Sequence, residues 1–182
     1  MKSEDLIRHI IQPENGIELA IINDPEFITG ALYGKPRSGH PEGQVIYHIK
    51  EVLANVDKYS TEENRKKLRL IAIIHDTFKH QVNDSFPKHG DNHHGYYAKL
   101  FASKYIKDNE ALNIIQLHDE AYACWIKGFR GKKWGAGEER LKKLVKELGN
   151  SLELYSTFYR CDNETGNKTE DCYNWFLEKT KK

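Results

Sequence analysis

The side chains best suited to chemistry in this sequence are imidazoles and carboxylates, spread at roughly one ligand per apolar-periodic segment. His75 and Asp76 stand side by side at the end of the apolar run Leu70-Ile71-Ala72-Ile73-Ile74. His48 lies upstream. His89, His93 and His94 occupy a polar stretch downstream, His118 falls in another apolar-periodic run, and Asp162 lies near the end of a further one. Imidazole nitrogens and carboxylate oxygens are ligands for Mn, Mg, Ni, Co, Zn or Fe. If three helices converge, His48, His75, Asp76 and Asp162 form a two-histidine, two-carboxylate shell that leaves room for water and a substrate oxygen. An ion held there acidifies its water and polarises a phosphoryl group, so hydrolysis of a phosphate ester is the natural reaction. Adding His93 and His118 permits a second ion, bridged by Asp76. Taken alone, His75 has a plainer reading, a helix-end histidine hydrogen-bonded to a carbonyl.

These residues need helices to position them. Ser3 starts a short helix through Ile11, with Leu6, Ile7, Ile10 and Ile11 at helical spacing, and Pro13 and Gly16 end it. Residues 17–32 suit a second segment bent at Pro25, whose continuation Asp24 caps. Three glycines and two prolines in residues 34–43 make a loop. The helix over 45–56 then carries His48 on or beside its buried face. Thr61, followed by Glu62, Glu63 and Asn64, opens the central helix, expected to run to about Lys79.

Residues 80–92 read as a loop and 93–106 as a helix, and Asn109 caps a helix over 110–126. The glycine-rich stretch 128–137, with Arg130, Lys132, Lys133 and Trp134, is either a mobile surface turn or a cationic lid over a phosphate-bearing ligand. Helices over 138–148 and 152–161, and a last one capped by Thr169, complete the chain. No segment alternates as a strand and no solenoid repeat is present, so the expected fold is all-α, one domain over 1–182, a compact helical bundle with the site between central helices.

The order His48, His75-Asp76, Asp162 resembles the signature of the HD superfamily of metal-dependent phosphohydrolases. Locally the chain is similar to the HD domain attached to bacterial CCA-adding tRNA nucleotidyltransferases. His40-Pro41-Glu42-Gly43 precedes His48, and Lys79 follows the His-Asp pair, although Thr77-Phe78 replaces that family's Leu-Gly. Pro87-Lys88-His89 and Asn92-His93-His94 stand for its next two segments, and Asp162 precedes Gly166. The likeness covers residues 40–168, and the nucleotidyltransferase head is absent.

The resemblance implies an HD-like bundle with His48, His75, Asp76 and Asp162 as metal ligands. Asp76 would also orient, or take a proton from, the attacking water, and Lys79 would face a phosphate oxygen. In two-metal members a histidine near here and another about 25 positions later complete a second site. His93 and His118 have that spacing, and His94 serves nearly as well as His93. Otherwise His89 and His94, with Arg37 or Lys35 if the loop folds inward, would contact substrate phosphate. His40 would order its loop.

Composition narrows the classes. The chain has 182 residues with 28 Lys plus Arg against 27 Asp plus Glu; a formal charge of +1 gives no reason to invoke nucleic acid or an anionic membrane. The cysteines Cys124, Cys161 and Cys172 lack zinc-knuckle spacing and read as free thiols in a reducing compartment. With no signal-peptide pattern and no long apolar run, a cytoplasmic location is expected. The leading function is a metal-dependent phosphomonoesterase or cyclic phosphodiesterase using one or two divalent ions on a nucleotide or other small phosphorylated substrate. A two-iron HD-type oxygenase and a non-catalytic nucleotide- or protein-binding module are the alternatives.

Overall fold

In the computed structural model, residues 2–36, 41 and 43–181 are described, and among them every regular element is helical. Arg37 and His40, assigned above to the substrate and the loop, lie outside the described residues. The chain order is α1 (Ser3–Ile11), α2 (Gly16–Ile22), α3 (Pro25–Ala31), α4 (Val45–Tyr59), α5 (Glu62–Ile74), α6 (His94–Ala102), α7 (Asn109–Leu117), α8 (Glu120–Phe129), α9 (Trp134–Leu148), α10 (Leu152–Asn163) and α11 (Asp171–Thr180). No helix among the described residues is long and apolar enough to cross a membrane.

Helix α5 is the hub, packed against α4, α7 and α10. A capping box starts it: the Asn64 amide donates to the Thr61 hydroxyl, and the Thr61 amide donates to the Asn64 side chain. Its far end is buried on all sides, with Ile71, Ala72, Ile73 and Ile74 each fully enclosed. Every helix adds residues to one continuous hydrophobic cluster around it. The buried Arg69 side chain of α5 is matched by two bonds to Glu18 of α2, at 2.9 and 3.0 Å, so neither charge is left uncompensated. All three cysteines are buried and free.

Asp108 rather than Asn109 caps α7, Glu170 rather than Thr169 stands at the start of α11, and α6 stops at Ala102 short of the expected 106. Three further boundaries differ from those expected, each for a local reason. Helix α5 stops at Ile74 rather than near Lys79, because the Thr77 hydroxyl donates to the Ile73 carbonyl while the Thr77 amide closes a tighter turn on Ile74. The helix expected over 110–126 is split into α7 and α8 at His118-Asp119. There the buried Tyr155 hydroxyl accepts from the Ala121 amide and shares its proton between the Leu117 and His118 carbonyls, satisfying groups that the break frees. The glycine-rich loop shrinks to residues 130–133, because Gly128 and Gly137 are contact points between α8 and α9. A β-carbon on Gly128 would lie 2.2 Å from the Trp134 ring, and one on Gly137 would lie 2.6 Å from the Cys124 carbonyl oxygen.

The segment that carries the His-Asp pair is held equally closely from behind. A β-carbon on Gly30 of α3 would fall 1.8 Å from the Thr77 carbonyl oxygen, a backbone atom that cannot rotate away. Gly30→Ala is therefore expected to lower stability by about 1–3 kcal/mol. Urea unfolding followed by circular dichroism measures this, and an unchanged midpoint would mean that α3 does not pack on this turn.

Candidate metal centre

Five helix ends and one helix interior meet at a single polar pocket in the apolar bundle. His48 projects from α4, His75 and Asp76 follow α5, His94 opens α6, His118 and Asp119 form the α7–α8 break, and Asp162 lies in the last turn of α10. His48, His75, Asp76, His94, His118 and Asp162 are all buried.

Asp76 divides this set in two. Its Oδ2 is 3.4 Å from His48 Nε2 and 3.7 Å from His75 Nε2, and Asp162 Oδ1 is 3.0 Å from His48 Nε2. Its Oδ1 is 3.2 Å from His94 Nε2 and 3.3 Å from His118 Nε2. Within each half the ring nitrogens also converge, His48 with His75 at 3.2 Å and His94 with His118 at 2.9 Å. Two groups able to hold a metal ion result: His48, His75 and Asp76, and Asp76, His94 and His118.

The hydrogen bonding of the rings fits a cation. His75 Nδ1 donates to the Ala72 carbonyl at 2.9 Å, and His118 Nδ1 donates to the Ile115 carbonyl at 2.8 Å. In the neutral ring each Nε2 therefore presents a lone pair, and both lone pairs face carboxylate oxygens. Lone pairs opposed in a buried site repel unless a positive charge lies between them. Among the described residues, three carboxylates, Asp76, Asp119 and Asp162, stand here against the two ammonium groups of Lys79 and Lys168, which again favours a positive charge between them.

The titration directions agree with this geometry. Burial drives His75 down to about 3, the nearby carboxylates only partly opposing it, so the ring is neutral. Burial would also lower His118, but Asp119 and Asp76 carry it up to about 9, a proton here supplying the missing positive charge. Burial would raise the Asp76 and Asp162 carboxyls. Lys79 with His75 for Asp76, and Lys168 with His48 for Asp162, hold both well below the ordinary carboxylate range.

The residues singled out from sequence distribute as follows. His48, His75, Asp76, His118 and Asp162 come together. Lys79 reaches Asp76 Oδ2 through its ammonium group. His93, expected with His118, instead caps α6: its Nδ1 accepts from the Gly95 amide at 3.1 Å, and its Nε2 approaches Asp119 at 3.9 Å. His94, expected either in place of His93 or at the substrate, points inward to Asp76 and His118. Gly95 permits this, since a β-carbon there would lie 2.4 Å from the Gln116 carbonyl oxygen; α6 and the end of α7 touch through backbone. His89 is exposed and, among the described residues, is outside the linings of both cavities over the site. Burial lowers the His93 ring to about 4.

Two participants escaped the sequence reading. Asp119 lies 3.3 Å from His94 Nε2 and forms a third potential metal-holding group with His93 and His94. Its signal was present, for His118-Asp119 repeats the His75-Asp76 dipeptide at a second helix end. Lys168 donates at 2.9 Å to both the Asp162 carboxylate and the Asp162 carbonyl. Nothing in the sequence distinguishes it from other lysines.

An all-helical bundle enclosing histidine and aspartate clusters suited to a divalent metal ion supports a catalytic, metal-dependent role. Residues 45–149, more than half of the chain, match the HD domain model, and the chain belongs to the HD domain family. Asp162 lies beyond the matched residues, so α10 contributes its carboxylate from outside them. Neither the curated proteins nor the solved structures gave a match to this chain.

Proposed function

We propose that this protein is a divalent-metal-dependent phosphohydrolase, a phosphomonoesterase or cyclic phosphodiesterase, acting on a nucleotide or similar small phosphate ester. The observation that carries the reading is the single carboxylate of Asp76 facing one histidine pair through each oxygen, with the Lys79 ammonium on the same group. Bound divalent ions would supply Lewis acidity toward a phosphoryl oxygen and lower the pKa of a water molecule. His48, His75, Asp76 and Asp162 would hold one ion, and Asp76, His94 and His118 a second. Asp76 would orient the attacking water. Lys79, part-exposed and lining both cavities, would meet phosphoryl oxygens and offset the charge that builds on them. Lys168 would keep Asp162 turned toward His48. The local likeness to the HD domain attached to CCA-adding nucleotidyltransferases supports a nucleotide-derived phosphate as the substrate.

The same two groups sharing Asp76 also suit a two-iron oxygenase, so the test separates the two chemistries. The protein is loaded in turn with Mn, Mg, Ni, Co, Zn or ferrous iron and given nucleoside monophosphates and cyclic nucleotides, in air and under argon. Phosphate release or ring opening with at least one ion, at a rate unchanged by oxygen removal, is expected. Turnover only with iron and dioxygen would replace the hydrolase by the oxygenase, and inactivity under all conditions would overturn both.

A further inference from the structure

Above the metal centre, a cavity of ≈ 590 Å³ has two unlike ends. Its floor is charged, with Asp76, Asp119 and Asp162 beside Lys79 and Lys168. Its wall is aromatic, formed by Tyr122, Trp125 and Phe129 of α8. These three sit at helical steps of three and four and so occupy one stripe. The neighbouring stripe, Ala121, Cys124 and Gly128, about 100° round the helix, is buried and backed by α9. Trp125 packs partly against the core, while Tyr122 and Phe129 on either side of it are 40% and 57% exposed. Trp125 and Phe129 lie parallel, with centroids 4.5 Å apart and planes 12° apart, and Tyr122 continues the row at 6.0 Å from Trp125.

An aromatic row whose Tyr122 and Phe129 rings are open to the cavity, above a floor that carries the Lys79 and Lys168 ammonium groups and can hold metal ions, is complementary to a molecule that is a flat ring at one end and an anion at the other. Arg130, next to Phe129, lines the same cavity and adds a second cation on the aromatic side. We propose that this α8 shelf stacks the planar base of a nucleoside monophosphate whose phosphate lies at Lys79 and the Asp76 centre, so that the shelf selects ring-bearing phosphate esters over aliphatic ones. This rests on the reading of the site as one for phosphate esters. It adds a specificity surface and an orientation: the base lies against the exposed rings of α8, Phe129 above all, and the phosphate points toward α5. Because every base offers a π-face, the shelf favours a ring without choosing strongly among bases.

The test compares AMP with ribose 5-phosphate, which differ only in the base. Each is mixed with the manganese-loaded protein, binding is read from tryptophan fluorescence and competition before turnover accumulates, and phosphate release is followed afterwards. Tighter binding of AMP by about tenfold or more is expected from stacking on protein aromatics. In Phe129→Ala, at an exposed position, that preference should collapse toward one while the melting temperature holds, and Phe129→Trp should restore it. A wild-type preference near one, or a Phe129→Ala preference equal to wild type, overturns the shelf. The preference without any phosphate release would uphold the shelf and count against hydrolysis alone.

Discussion

Asp76→Ala is expected to reduce kcat/KM by about a thousandfold or more, a loss of roughly 4 kcal/mol of transition-state stabilisation, while leaving the fold intact. Among the described residues, no other side chain in the pocket belongs to both histidine groups joined through its two oxygens. Removing it takes an anionic donor from each candidate ion position and the anchor from Lys79. Metal affinity falls, and the group that orients the attacking water is lost. Removing Asp76 relieves its repulsion with Asp119 and Asp162 but also takes the partner from Lys79 and His118, which hold its carboxyl low, so the metal-free variant should keep its helices and melt at a lower temperature. Metal content by elemental analysis, helicity by circular dichroism and hydrolysis rate should be measured together. A variant that retains metal and a tenth of the wild-type kcat/KM would lose only about 1.4 kcal/mol, which would place the chemistry elsewhere.

Metal stoichiometry should separate the adjacent histidines His93 and His94. Wild-type protein is expected to bind about two equivalents of a divalent ion, as in sites that clamp both the attacking and the leaving oxygen. His94→Ala and His118→Ala should each bring this to about one equivalent, because each removes a ring nitrogen that converges on Asp76 Oδ1. His93→Ala should keep both equivalents and lose only the cap on α6, a cost of about 0.5–2 kcal/mol seen as a lower melting temperature. Isothermal titration of the metal-free protein with manganese, checked by elemental analysis, reads all four proteins. A wild-type stoichiometry of one, or loss of an ion in His93→Ala but not in His94→Ala, would sink the assignment.

What could be read without coordinates was what depends on neighbours within a turn or two. The cap at Thr61, the Asp24-Pro25 restart, the buried stripe that includes His48, and the apolar end of α5 are set by periodicity and capping, which are local properties of the chain. The order of His48, His75-Asp76 and Asp162 carried enough chemistry to suggest a metal centre and an all-α frame around it. Even the plainer reading of His75 survives inside the larger one, because its bond to the Ala72 carbonyl is what aims its other nitrogen at the centre.

Tertiary structure decided which member of each adjacent pair faces inward. One residue along a helix turns the side chain by about 100°. The choice between His93 and His94 therefore depended on how α6 is rolled against α7, and the backbone approach at Gly95 and Gln116 sets that roll. Asp119 joins the site because Tyr155, far away in sequence, satisfies the backbone where α7 breaks from α8; an uninterrupted helix would not present two successive residues to one centre. Lys168 matters only because the loop after α10 folds back onto Asp162. The aromatic row on α8 became an open shelf once Gly128 and Gly137 had brought α9 against the neighbouring stripe. These are relations between segments remote in sequence, and helical periodicity alone does not specify them.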